Sequence, residues 1–255
     1  MSLSFFPMAF SASTLAVLAG FALIAGLVRG FAGFGAGLIF VPAASVLVGP
    51  QVAVIILWAM DTIPSLPIVL PALKKAEWKS VLPVALGYAV TVALGVYWLK
   101  HGDPLALRWA MSAFILVSVV ILWSGWRYRG SRPFPLSLLV GGVSGIFGGA
   151  AQLPGPPVLV YWLAGSEPSW LIRANTIILF FLTDLFSGLA YWAGDVFMRE
   201  AVLATLICAP VYAVGQMIGQ RLFGRASEEG YRLFAFALIL AVAVFTLPLF
   251  DGILR

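Results

Sequence analysis

Charge is what this chain of 255 residues has least of: only 10% of its residues are Asp, Glu, Lys or Arg, against about 25% in an average soluble domain. With 62% hydrophobic residues, there is too little polar surface to cover a water-exposed globule of this size. Disordered, collagenous, disulfide-framework and ordinary cytosolic enzyme classes are excluded. Cysteine is down to one, Cys208, in an apolar run, which leaves neither an intramolecular disulfide nor a Cys cluster for a metal and reads as buried packing. Histidine is also down to one, His101, in a loop beside Asp103 and Pro104. An intramembrane serine protease needs a base beside its serine and a metalloprotease needs a His-Glu cluster. The expectation is therefore no enzyme, no metal and no cofactor, and the lack of a nucleotide-binding loop removes ATP as a direct energy source. No basic residue precedes Arg29, so a cleavable signal peptide with a positive leading region is not expected.

What the chain has instead is long apolar runs. A helix needs about 20 apolar residues to cross a bilayer core, and the runs predict eight helical segments near 9–29, 51–71, 80–99, 105–125, 135–163, 169–192, 197–220 and 229–250. Strand-like alternation, the mark of a membrane β-barrel, does not appear. The fold class expected is all-α, a polytopic helical membrane protein in the lipid bilayer. The net charge of +5 then speaks to orientation, not to nucleic acid. Lys74, Lys75 and Lys79 follow the second segment, and Arg127, Arg129 and Arg132 follow the fourth. Both loops are expected in the cytoplasm, with the N-terminus inside and the chain in the cell inner membrane. Arg221, Arg225 and Arg232 conflict with simple counting. Most of the tryptophans lie near segment ends and read as interfacial anchors.

The chain also contains an internal repeat. Residues 26–42 read GLVRGFAGFGAGLIFVP, and 115 positions later residues 141–157 read GGVSGIFGGAAQLPGPP. Gly26, Val28, Gly30, Gly33, Leu38 and Pro42 fall on Gly141, Val143, Gly145, Gly148, Leu153 and Pro157. At an offset of 124, Tyr88, Ala89, Val90 and Gly95 fall on Tyr212, Ala213, Val214 and Gly219. Two four-segment repeats follow, 1–125 and 134–255, joined by a basic linker at 126–133 and either parallel or inverted. Glycine eases helix unwinding and close approach, while proline removes a donor and obstructs the preceding turn. A duplicated break inside a bilayer implies a buried or wet central pathway, and exposed half-helix N-termini there attract anions. Close helix packing through small residues accounts for Gly26, Gly30, Gly141 and Gly145 equally well.

These two glycine-rich segments ending in proline, one opening each half of a chain of this length, resemble the sulfite exporter TauE/SafE family of bacterial permeases. The sequence departs from tighter glycine clusters at Gly33 to Gly37 and at Gly148 to Gln152. The resemblance implies a multi-pass transporter exporting, or otherwise moving, sulfite or a small organosulfonate such as sulfoacetate, by alternating access between the two repeats. A passive small-anion channel and a transporter for a different small organic anion are the alternatives.

An ionisable residue near the centre of a membrane helix needs a partner or a task. Arg29, Asp61, Arg173 and Asp184 form that set, with Asp61 and Asp184 separated by 123 positions. Arginine offers a planar donor fork suited to sulfonate oxygens. The candidate substrate site comprises Arg29, Gly33, Gly35, Gly148, Gly149, Gln152, Arg173, Asn175 and Thr176. Asp61 and Asp184 are expected either to couple transport to protons or to hold the arginines in structural ion pairs. Gln51 and Gln216 read as helix-to-helix hydrogen bonds. A small anion and the bilayer are the partners expected, with proton coupling and a homodimer as further expectations.

Overall fold

The computed structural model describes residues 10–123, 133–163 and 167–224, with residues 227, 230 and 237. Among them the regular elements are helices: α1 Ala12–Ala32, α2 Ala36–Val48, α3 Pro50–Thr62, α4 Leu66–Leu73, α5 Trp78–His101, α6 Pro104–Trp123, α7 Phe134–Ala151, α8 Gly155–Leu163, α9 Ser169–Ala193 and α10 Arg199–Phe223. Five of the described helices, α1, α5, α7, α9 and α10, are long and apolar enough to cross a membrane. Their outward faces stay apolar, with Val90, Trp192 and Leu206 exposed by 77, 75 and 67%. Such surface needs lipid around it, and the protein is a multi-pass helical membrane protein.

The breaks lie where local chemistry allows them. The chain leaves α1 through Gly33 at φ 80° and enters α2 through Gly35 at φ 95°, a left-handed region that side chains rarely adopt. Proline does not make this first break: Pro42 lies inside α2. The expected single segment 135–163 is divided at Gln152 to Pro154 into α7 and α8, and Pro156 and Pro157 occupy the first turn of α8, where a missing N–H costs nothing. The expected segment 51–71 is also divided, into α3 and α4, which meet at an angle of 56°. The segment at 229–250 lies outside the described residues apart from 230 and 237, as does the linker apart from Pro133. The tryptophan expectation fails at Trp162, 1% exposed, and at Trp58, whose Nε1 donates to the Asp184 carbonyl at 2.8 Å. Cys208 is buried, as its apolar run implies.

Lipid is as apolar as leucine, so membrane helices associate through close packing rather than hydrophobic burial. Glycines supply it here. A Cβ on Gly30 would lie 2.0 Å from the Gln216 carbonyl oxygen, and one on Gly219 would lie 2.0 Å from that of Leu27. In the second pair, a Cβ on Gly95 would lie 2.1 Å from the Ile146 carbonyl and one on Gly141 would lie 2.0 Å from that of Val84. α1 thus packs along α10 and α7 along α5, each pair running in parallel.

The contacts also fix the relative directions. Tyr212 meets Asp61 and Gln216 meets Ser65, so α10 runs with α3. Gln51, in the first turn of α3, donates to the Leu99 carbonyl at the end of α5 at 3.1 Å, so α3 runs against α5. Glu77, Tyr88 and Lys100 meet Asn175, Ser187 and Gly194 in that order, so α5 runs with α9. One group, α1, α3 and α10, therefore runs opposite to the other, α5, α7 and α9.

Replacing Gly95 by Ala is expected to lower stability by about 1–3 kcal/mol through overpacking. Gly20, which has open space where its Cβ would stand, is expected to tolerate Ala without loss because Ala is the better helix former. Thermal unfolding of the two variants in detergent checks the contrast.

Candidate functional site

The first break carries a cation into the interior. Arg29 lies in the last turn of α1 and is 1% exposed. Its Nη1 donates to the carbonyl of Gly33, which caps the end of its own helix. Its Nε faces both carboxylate oxygens of Asp61 at 3.1 Å. Phe180 lies beneath the guanidinium, with the ring centroid 5.0 Å from Cζ. Nη2 has no hydrogen-bond partner.

Asp61 is held from two further directions. Ser65 donates to Oδ1 at 2.6 Å from the turn after α3, and Tyr212 of α10 donates to the same oxygen at 2.5 Å. Gln216, one turn further along α10, donates to the Ser65 hydroxyl at 2.7 Å. Two charges removed from water are tolerated only when such extra hydrogen bonds satisfy them.

The second break lies against the first. A Cβ on Gly37, near the start of α2, would lie 2.1 Å from the Gln152 carbonyl oxygen. Gln152 takes the left-handed conformation at φ 53° and closes α7 through its amide, which donates to the Gly148 carbonyl at 2.8 Å. Its side-chain Nε2 donates to the Tyr191 hydroxyl at 3.3 Å. Tyr191 in turn donates toward the carbonyls of Gly148 and Gly149, at 3.4 and 3.1 Å. Gly148 has no room for a side chain because the ring of Tyr88 occupies that place. Gly155, at the start of α8, would place a Cβ 3.2 Å from Phe180, so one aromatic ring separates Arg29 from the first turn of α8.

Asp184 is the second buried carboxylate, 4% exposed on α9. Its Oδ2 has no hydrogen-bond partner, and it interacts electrostatically with Arg29 and Asp61. Close by on α9, Ser187 shares a 2.6 Å hydrogen bond with Tyr88.

The structure thus gathers Arg29, Asp61, Gly33, Gly35, Gly148, Gly149, Gln152 and Asp184 around the two breaks. Three other candidates are engaged elsewhere, two of them in joining helices and one within its own helix. Arg173 donates from Nε to the Phe31 carbonyl at 3.0 Å and from Nη2 to the Gly30 carbonyl at 2.5 Å, while its guanidinium stacks 4.2 Å over Phe223. It satisfies carbonyls at the end of α1 that have no partner within the helix. Asn175 accepts the Glu77 amide at 2.7 Å, at the start of α5, and Thr176 bonds back to the Ile172 carbonyl at 2.7 Å within α9. Sequence reasoning missed Tyr191, Phe180 and Ser65 as members of the cluster. Tyr88 and Tyr212 entered only as markers of the repeat, although a tyrosine hydroxyl in lipid needs a polar partner and is itself a signal.

Asp61→Asn strands the Arg29 charge and is expected to cost about 3–5 kcal/mol, whereas Arg29→Met combined with Asp61→Asn removes both charges and is expected to recover most of the loss. Thermal unfolding of both variants in detergent measures the difference.

The family described as Sulfite exporter TauE/SafE matches residues 18–246, which takes in both breaks, both arginines and both aspartates. No curated protein and no solved structure matches the chain. A match over most of the length, on a helical membrane fold with a buried charged centre between two broken helices, settles the family: the chain belongs to the sulfite exporter TauE/SafE family of membrane transporters.

Proposed function

We propose that this protein is a secondary transporter of a small sulfur-containing anion, sulfite or an organosulfonate of the sulfoacetate kind, working by alternating access between two inverted repeats. Family membership supports the substrate class. The observation that carries the site is the unspent donor of Arg29: a buried guanidinium whose Nη2 has no partner, placed beside both helix breaks. Donors left unmatched in a low-dielectric interior have a large free energy to gain from an anion. Arginine forms charge-assisted bonds with oxyanions at fixed geometry. Asp61 keeps the guanidinium charged and oriented while leaving that one donor free, so substrate binding does not have to break the ion pair.

The two-repeat reading, 1–125 and 134–255 about the basic linker 126–133, rests on sequence offsets and helix direction together. α1 and α7 correspond in sequence and run in opposite directions, as do α3 and α9, and α5 and α10. Such an arrangement has a pseudo-two-fold axis in the membrane plane, and transporters built this way carry their substrate near the midplane at the repeat interface. Rocking one repeat against the other opens the same site to each side in turn. The proposal places the chain in the cell inner membrane with the basic residues ahead of α5 and α7 in the cytoplasm; because α5 and α7 run opposite to α1, the start of α1 then lies on the far side, against the cytoplasmic N-terminus expected from counting crossings.

Purified protein in liposomes is expected to give saturable flux of sulfite or sulfoacetate, stimulated by unlabelled substrate on the far side. Arg29→Lys keeps the charge but loses the fork, and is expected to reduce that flux by about tenfold or more while the protein still elutes as a folded species. Flux of every sulfur anion equal to that of protein-free liposomes would overturn the reading. Conductance without counterflow stimulation would replace it by a pore.

A further inference from the structure

We propose that Asp184 carries a proton through the transport cycle, doing in the second half of the molecule with a mobile positive charge what Arg29 does in the first with a fixed one. The inference rests on the transport reading above and adds the residue responsible for coupling.

The argument begins with matched positions. Asp184 corresponds to Asp61 at an offset of 123, and Tyr88 corresponds to Tyr212 at 124. The arginine has no counterpart: at the offset of 115 that aligns the two glycine segments, Arg29 falls on Ser144. Both halves therefore bury a carboxylate beside a tyrosine, and only one half supplies it with a cation.

The surroundings follow that difference. Asp61 receives Arg29, Ser65 and Tyr212. In the other half Tyr88 spends its hydroxyl on Ser187. Asp184 Oδ2 and Ser144 Oγ are both left buried without a hydrogen-bond partner. Among the described residues no basic side chain forms an ion pair with Asp184.

The titratable groups around Asp184 can be named element by element. α1 contributes Arg29, which is committed to Asp61 at 3.1 Å. α3 contributes Asp61, a second negative charge, α5 contributes Tyr88 and α10 contributes Tyr212. α9 adds Tyr191, while α4 and α7 contain no titratable side chain. One arginine thus faces two carboxylates in a low-dielectric interior. An isolated ionised carboxylate is far more costly there than a neutral acid, so the arrangement is electrically balanced when Asp184 holds a proton.

The step is a simple protonation. In one orientation the carboxylate takes a proton from water on one side, forming an O–H bond. The neutral acid passes through the arrangement in which Asp184 is buried. In the other orientation that bond breaks, the proton goes to water and the carboxylate returns ionised. A proton needs no coordination shell, which suits a group that is 4% exposed. Asp61 does not take this part because its carboxylate is already engaged by Arg29, Ser65 and Tyr212.

Asp184→Asn mimics the protonated acid in size and charge, so it tests coupling with little change of shape. Sulfoacetate, ionised throughout the neutral range, is the probe, in sodium-free proteoliposomes containing a trapped pH dye. Wild-type protein is expected to move protons with sulfoacetate and to accumulate it under an imposed pH gradient. Asp184→Asn is expected to keep sulfoacetate exchange and to lose gradient-driven accumulation by about tenfold or more, together with the dye signal. Accumulation by Asp184→Asn that still follows the pH gradient overturns the proposal, as does wild-type accumulation that follows a sodium gradient instead. A second measurement does not need substrate: infrared spectra of the purified protein are expected to show the C=O stretch of a buried protonated carboxyl, retained in Arg29→Met combined with Asp61→Asn and missing in Asp184→Asn. If no sulfur anion moves in any assay, the transport reading fails on its own. The infrared band then still decides Asp184, and its absence from the wild-type protein overturns the assignment.

Discussion

The ion pair between Arg29 and Asp61 is the interaction on which the interior depends. An arginine at the centre of a membrane helix costs roughly 2.5–3.5 kcal/mol on insertion scales, and burial at 1% exposure leaves water unable to help. The charge is tolerated because α1, α3 and α10 converge on it. Asp61 supplies the countercharge, while Ser65 and Tyr212 both donate to its Oδ1. That convergence requires Gly26 and Gly30, since a side chain at either would run into the backbone of α10 at Tyr212 or Gln216. Close packing and charge neutralisation are therefore one requirement: α10 must come near enough for its tyrosine and glutamine to reach across.

The glycines of the two breaks divide between two physical uses. Gly33 and Gly35 take positive φ and turn the chain, whereas Gly148 and Gly149 remain helical and make room for Tyr88 and for the backbone of α5. The second break needs no glycine at its turn because Gln152 itself adopts the left-handed conformation and anchors its side chain on Tyr191. A motif that looks duplicated in composition thus performs its turn with different residues in its two copies. The copies agree in what they build, which is a helix end deep in the protein with its carbonyls satisfied by side chains from a neighbouring helix.

Much of the fold was legible because membrane helices are specified by length and apolarity, quantities a sequence carries locally. The boundaries of α1, α5, α9 and α10 fall within a few residues of the expected ones. The break between α3 and α4 was missed because residues 51–71 have the length of one span, although Pro64, between Ile63 and Ser65, marks a helix end. At the site, the four intramembrane charges were visible from their rarity. Their pairing was not, since Arg29 and Arg173 look alike in sequence, and only tertiary contact shows one facing a carboxylate and the other closing the end of α1. Asn175 looked like a substrate donor for the same reason: an exposed helix start on α5 with an unmatched amide cannot be read from the chain that will satisfy it.

Two equal and opposite repeats, as proposed for this chain, would have no intrinsic preference for one side of the membrane, so any bias or coupling would have to come from positions where the halves differ. An exchange of one apolar residue for another on a helix face alters packing and no charge. Arg29 against Ser144 is different in kind, because it changes the charge beside one of two matched buried carboxylates. With arginine in both halves the centre would be neutral and indifferent to protons. With arginine in neither, two carboxylates would compete for protons, as closely placed like charges do. One arginine gives a fixed pair with Asp61 and leaves Asp184 without an ion-pair partner among the described residues. On the proposed transport reading, the difference between Arg29 and Ser144 thus falls at the position where two matched halves would have to become directional.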